Sequence, residues 1–305
     1  MRTAFIEALC NLAKHDRKIW LLTGDLGYSV VEQFARQFPD CFLNVGVAEQ
    51  NMMGIATGLA MSGKIVFTYS IANFPVMRCL EQIRNDVCYH NANVKIVTVG
   101  GGMAYGSAGY SHHAVEDLAI MRAMPNMVLV APGDPVETRS ATRAIVGRQG
   151  PCYLRLGKSG EPVVHKTTPQ FAIGNAITVR EGTDLTLMST GDMLKVAVDV
   201  ADLLAAEGIG ARVLSMHTVK PIDAEATVRA AQETGGIATI EEHQLVGGLG
   251  SAVADVLQDS NLKVARFWRF GIANTLSGTV GSQNHLRQQA GLTPQEITRK
   301  LVLSL

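Results

Sequence analysis

The residues able to do chemistry are few and widely spaced. From Ala48 to Gly63 the one charged residue is Glu49, in a run of Ala, Gly, Met, Ile, Leu and small polar residues that reads as a helix. A carboxylate kept from water holds its proton more tightly, so it can serve as an acid near neutral pH. Its plainer role is to offset the positive end of the helix dipole. Two adjacent histidines, His112 and His113, precede a helical pattern. They invite a metal, but neighbouring side chains diverge and no third ligand is placed nearby. Arg155 and Lys158 end a strand, where a basic pair either binds an anion or lines a solvated loop. Two Gly-rich stretches, Gly100–Tyr105 and Gly248–Val253, place Tyr and Val where a dinucleotide loop needs its third glycine, so both fail as nucleotide sites.

The elements that must position these residues alternate between helical and strand patterns. Strands are expected at 19–23, 41–45, 65–69, 94–99, 127–130 and 152–156, with helices at 3–14, 31–38, 48–63, 74–90 and 113–124 between them. Asp134-Pro135-Val136-Glu137 opens a further helix, with Asp as the cap and Pro at the first position. Gly157 to Pro169 is rich in Gly, Pro, Thr and Lys and marks a linker, placed at 159–172. Beyond it strands are expected at 185–189, 212–215, 237–240 and 264–267, and helices at 193–207, 224–234 and 249–257, with Thr293-Pro294 starting a last one. Such alternation implies mainly parallel sheets covered on both faces. The fold class is therefore α/β, with two doubly wound domains at 1–158 and 173–305. The Glu49 helix is apolar on all sides and should be buried on all sides, with Gly54, Gly58 and Gly63 as flat spots for a close backbone.

Composition narrows the function classes. The 305 residues are 47% hydrophobic and 18% charged, and 27 basic residues balance 27 acidic ones. No charge excess invites nucleic acid or an anionic membrane surface. The five cysteines form no Cys-x-x-Cys pair and read as reduced thiols. The N-terminal stretch has no apolar signal core, and no run reaches membrane-spanning length, so a soluble cytoplasmic protein is expected.

Gly46-Val47-Ala48-Glu49-Gln50-Asn51-Met52 resembles the segment that carries the essential glutamate in thiamine-diphosphate enzymes of the transketolase family. The family includes deoxyxylulose-phosphate synthase and the beta subunits of 2-oxo-acid dehydrogenases. Four more segments resemble it in the same order: Phe67–Arg78, Gly109–Leu118, Tyr153–Lys158 and, beyond the linker, Ser215–Asp223 with Glu241–Gly250. The resemblance implies a pyrimidine-binding domain followed by the family's C-terminal domain. It implies that Glu49, held protonated by desolvation, bonds the cofactor's aminopyrimidine, and that Phe74 stacks on that ring beside Ile71 and Met77. It implies His112 as the histidine at the sugar oxygens, and His113, Arg155 and Lys158 as further substrate contacts. Ala108 stands where the family has an aspartate and Gly100 where it has a substrate histidine, which disfavours the ordinary sugar phosphates and suggests a modified ketose. Gly24-Asp25-Leu26 lacks the last glycine of the magnesium–diphosphate motif. The resemblance therefore implies a split enzyme, with an alpha subunit holding the diphosphate and most Mg2+ contacts in an α2β2 assembly. The implied reaction moves a two-carbon ketol unit from a ketose to an aldose. The alternatives are a 2-oxo-acid dehydrogenase beta subunit and a non-catalytic partner subunit.

Overall fold

A computed structural model describes residues 1–262, 264–275 and 278–305. Six strands of the N-terminal half are β1 (Ile19–Thr23), β2 (Phe42–Asn44), β3 (Ile65–Ile71), β4 (Val94–Val99), β5 (Val128–Val130) and β6 (Cys152–Leu156). In the C-terminal half lie β7 (Ile177–Arg180), β8 (Leu185–Ser189), β9 (Ala211–Ser215), β10 (Thr218–Lys220), β11 (Ile237–Gln244) and β12 (Phe267–Ile272). They form a seven-stranded sheet in the order β10-β5-β6-β4-β3-β1-β2 and a five-stranded sheet in the order β12-β11-β8-β9-β7. Pairings are parallel except for β10 on β5 and β7 on β9.

Side chains alternate across a strand, so one strand feeds two cores. Val97 and Val99 of β4 join Phe5, Leu9 and Ile145 on one face, while Val94 and Ile96 join Met52, Val76 and Leu118 on the other. Cover on both faces explains why every residue of β4 is buried. The second sheet is likewise sandwiched, with Leu187 and Val213 facing Leu194 and Leu301, and Met188 and Leu214 facing Leu249 and Val253.

Several expectations are corrected. The Glu49 helix spans Glu49–Met61 and buries one face only, through Glu49, Met52, Met53, Ala56 and Thr57. A side chain added at Gly54, Gly58 or Gly63 would meet nothing within 4 Å, so these glycines are not close-packing points within this chain. The helix expected over 74–90 is broken: Asn73–Arg78 stops where Gln50 Nε2 donates to the Arg78 carbonyl at 2.9 Å, and a π-helical turn follows at Ile83–Cys88. The helix expected from His113 starts only at Asp117, because Ala114 pairs with Gly102 and holds the preceding residues as a loop. The last strand lies at Phe267–Ile272 rather than 264–267, and β7, β10 and the helix Gln283–Gln289 escape periodicity because they are short.

The two halves are stitched together residue by residue. β10, in sequence part of the C-terminal half, completes the N-terminal sheet, and Lys220 Nζ donates to the carbonyls of Arg122 (2.8 Å) and Met124 (2.6 Å). Along β11, Glu241 accepts the backbone N–H groups of Leu249 and Gly250 and so caps their helix. Glu242 reaches across to the N–H of Met103 at 2.6 Å, and Gln244 donates to Glu116 at 2.9 Å.

His243, next in line, accepts the Ala119 N–H at Nε2, 3.3 Å away, while its Nδ1 lies 2.7 Å from the Gln244 carbonyl. Burial pushes its pKa down to about 4, so the folded chain holds it neutral. An unfolded histidine protonates near pH 6.5, so unfolding takes up a proton between these two values and stability falls as pH drops through that window. The loss from this group reaches up to about 3 kcal/mol at the acid end. Urea midpoints from pH 7 to 5 should fall more steeply for the native chain than for His243→Gln; parallel profiles would contradict the assignment.

Candidate active site

The loops that leave the C-terminal ends of β2, β3, β4 and β6 gather the chemistry-bearing residues, the place where open α/β sheets hold ligands. Glu49 opens the helix after β2, Phe74 follows β3, the stretch 100–116 follows β4, and Lys158 follows β6.

Glu49 is 4% exposed but not alone. Arg78 Nη1 donates to its Oε1 at 2.8 Å, and the same guanidinium carbon lies 4.1 Å from the centroid of the Phe74 ring. A flat, hydrogen-bonding group is thus already held between a buried carboxylate and an aromatic face. The Phe74 ring meets His112 edge-on, with centroids 5.2 Å apart. His112 Nδ1 lies 3.0 Å from Ser111 Oγ, and Asn73 Nδ2 fixes that turn by donating to the Ser111 carbonyl at 2.8 Å. Tyr105 comes next, its ring 6.1 Å from His112, and Lys158 Nζ sits 4.8 Å over the Tyr105 ring. Glu49, Arg78, Phe74, His112, Tyr105 and Lys158 therefore form one continuous row. Ile71 ends β3 half-buried, and Met77 is exposed at the rim.

Two expected substrate contacts are buried. Arg155 is 4% exposed and held by three hydrogen bonds: Nε donates to Asp117 at 2.8 Å, and Nη2 to the carbonyls of Ala114 and Glu242 at 2.9 and 3.0 Å. Burial opposes its charge, but Asp117 beside it more than compensates and holds the pKa above the ordinary arginine value. His113 is also buried, with Nε2 3.2 Å from the Gly106 carbonyl, so it braces the loop from behind. Lys158, by contrast, is exposed.

Three contributors lie outside the sequence reading. Arg78 and Tyr105 complete the row. Glu242, with Arg287 and Gln283 bound to its carboxylate, anchors the loop that carries Tyr105 from the C-terminal half. Tyr105 stands three residues after a Gly-Gly-Gly run, and Arg78 and Glu242 fall within the family-like segments, but nothing local gave any of the three a role.

A model of the transketolase pyrimidine-binding domain matches residues 1–162, and one of the transketolase C-terminal domain matches residues 174–297. The chain belongs to the transketolase family. Among curated relatives of this transketolase-family chain, an apulose-4-phosphate transketolase subunit of Phocaeicola vulgatus is 41% identical over 86% of this chain and 85% of its own. The 6-deoxy-6-sulfo-D-fructose transketolase subunit of Clostridium sp. strain MSTE9 is 39% identical, covering 98% of this chain and 92% of its own. A solved structure described as a split gene transketolase, inactive beta4 tetramer, superposes with a TM-score of 0.89 at 40% identity, covering 98% of this chain and 95% of that one. Transketolase from Campylobacter jejuni shares the fold at a TM-score of 0.79 and 18% identity, and this chain spans 46% of it.

Proposed function

We propose that the chain is the beta subunit of a split, thiamine-diphosphate-dependent transketolase that takes a two-carbon ketol unit from a modified, anionic ketose and passes it to an aldose. The observation that carries this reading is the buried Glu49 carboxylate facing Phe74 across a planar guanidinium. That gap fits an aminopyrimidine, which needs a hydrogen bond at its edge and an aromatic ring at its face. Thiamine diphosphate, when bound, supplies the nucleophilic carbon. Glu49 would hold a proton at the far ring nitrogen, in place of its present contact with Arg78. Phe74 would support the ring, with Ile71 and Met77 at its margins. His112 would bind or move protons at the sugar oxygens. Lys158 would pair with the anionic end of the ketose.

The diphosphate and Mg2+ are assigned mainly to an alpha subunit, in an α2β2 tetramer, because Gly24-Asp25-Leu26 departs from the family's diphosphate motif. Val47, two residues before Glu49, and Met77, next to Arg78, are exposed apolar side chains, which supports a covering partner. Two curated relatives are named for apulose 4-phosphate and 6-deoxy-6-sulfo-D-fructose, which supports a modified donor over the 2-oxo-acid dehydrogenase and non-catalytic alternatives. The five free, buried cysteines favour a cytoplasmic setting, and no helix among the described residues is long and apolar enough to cross a membrane.

Titration calorimetry tests the split. The isolated chain should bind thiamine diphosphate weakly or not at all, and should turn over ketoses only when mixed with its diphosphate-binding partner. Submicromolar binding by the chain alone would overturn the split reading.

A further inference from the structure

Gly100 is more than an absent side chain. It follows β4 with φ +79°, a conformation that L side chains rarely adopt, and the Tyr105 ring lies directly against it. A Cβ at position 100 would overlap two atoms of that ring. The space a residue at 100 would take is thus filled from five residues downstream.

The ring is held there by the fold. Gly102 pairs with Ala114 in both directions at 2.8 Å, and Met103 N–H donates to Glu242. Gly106 N–H donates to the Met103 carbonyl at 2.9 Å, and Gly106 is pressed so closely under Gly281 that a Cβ there would overlap the Gly281 carbonyl. Tyr105 therefore sits in a short span fixed on both sides. A rigid support of this kind lets one side chain define a pocket wall precisely.

One face of the ring meets Lys158 Nζ at 4.8 Å, and its other neighbour in the row is His112 at 6.1 Å. A cation over a ring gains from the ring's negative face while its N–H groups stay free for an anion. We infer that Tyr105 is a specificity-determining residue of the donor pocket, seating Lys158 so that the enzyme prefers ketoses with a tetrahedral anion, phosphate or sulfonate, at the end away from the carbonyl. The inference rests on the transketolase reading above.

The test uses the chain reconstituted with its alpha subunit. Tyr105→Ala should raise KM about two- to fivefold for anionic ketoses, the order that an exposed cation–π contact supplies, and far less for a neutral ketose. Tyr105→Phe keeps the ring and should keep the native KM. Calorimetric affinity for an alditol phosphate, which has no carbonyl to react, should fall in Tyr105→Ala and at least as far in Lys158→Met. The double variant should lose no more than Lys158→Met alone, because Tyr105 acts through Lys158. A panel of ketose phosphates and ketose sulfonates shows which anion is the natural one. Equal KM changes for anionic and neutral ketoses, or fully additive losses in the double variant, would overturn the inference. Proton exchange at the thiazolium carbon in the unmodified complex tests the parent reading separately: its absence removes transketolase chemistry, whereas normal exchange with an unmoved Tyr105→Ala profile removes only the role of Tyr105.

Discussion

Glu49→Ala is expected to lower turnover of the reconstituted complex by about two to four orders of magnitude, the range for loss of a positioned acid or base. The side chain is almost fully buried, so water cannot easily take its place. Glu49→Gln keeps the shape but fixes the group as a neutral amide, and should fall nearly as far. Stability should change little, because the partner lost is Arg78, whose side chain is 48% exposed and can return to solvent. With its arginine half in solvent the pair is partly screened, and its loss should cost on the order of 1 kcal/mol. The informative measurement is hydrogen–deuterium exchange at the thiazolium carbon, together with the thermal unfolding midpoint. Slow exchange with an unchanged midpoint is the expected pair of results; native exchange in Glu49→Ala would remove Glu49 from the mechanism.

Arg155→Met should act in the opposite manner, through stability. Its guanidinium and the Asp117 carboxylate are 4% and 1% exposed, and Tyr153 also donates to Asp117 at 2.7 Å. Removing the cation leaves a buried carboxylate with the tyrosine as its remaining side-chain partner. Breaking such a pair costs about 3–5 kcal/mol, whereas replacing both members with apolar groups is often close to neutral. Urea denaturation should therefore show a large loss for Arg155→Met and substantial recovery in Arg155→Met/Asp117→Leu. If Arg155 touched substrate instead, the single variant would keep its stability and raise KM for anionic ketoses.

The contrast between these residues explains what was legible in the sequence. Glu49 and Phe74 lie within contiguous motifs at element starts, where chain order and spatial position coincide. The alternation of helices and strands yields both sheets for the same reason. The burial of Arg155 was illegible because a strand-end arginine looks exposed, yet β6 lies between β4 and β5, and its burial is decided by the other half of the molecule reaching Glu242 over it. Arg78 was illegible because its partner lies 29 positions away, and Gln50 meets the end of its helix from the side. Gly100 showed as an absence, but only the folded loop could show that Tyr105 fills it.

The β10 strand has a further consequence, for inheritance of the chain's parts. The seven-stranded sheet ends on β10, three residues supplied from beyond the linker, and without them β5 would present bare backbone donors and acceptors. An unpaired edge of that kind recruits other strands. The two halves are therefore modules in sequence but not in assembly. Exchange of the C-terminal half between family members by recombination must preserve Thr218–Lys220 as a mate for β5, and a cut in the linker would leave two pieces still joined through a shared sheet. The seam inside this chain is woven shut.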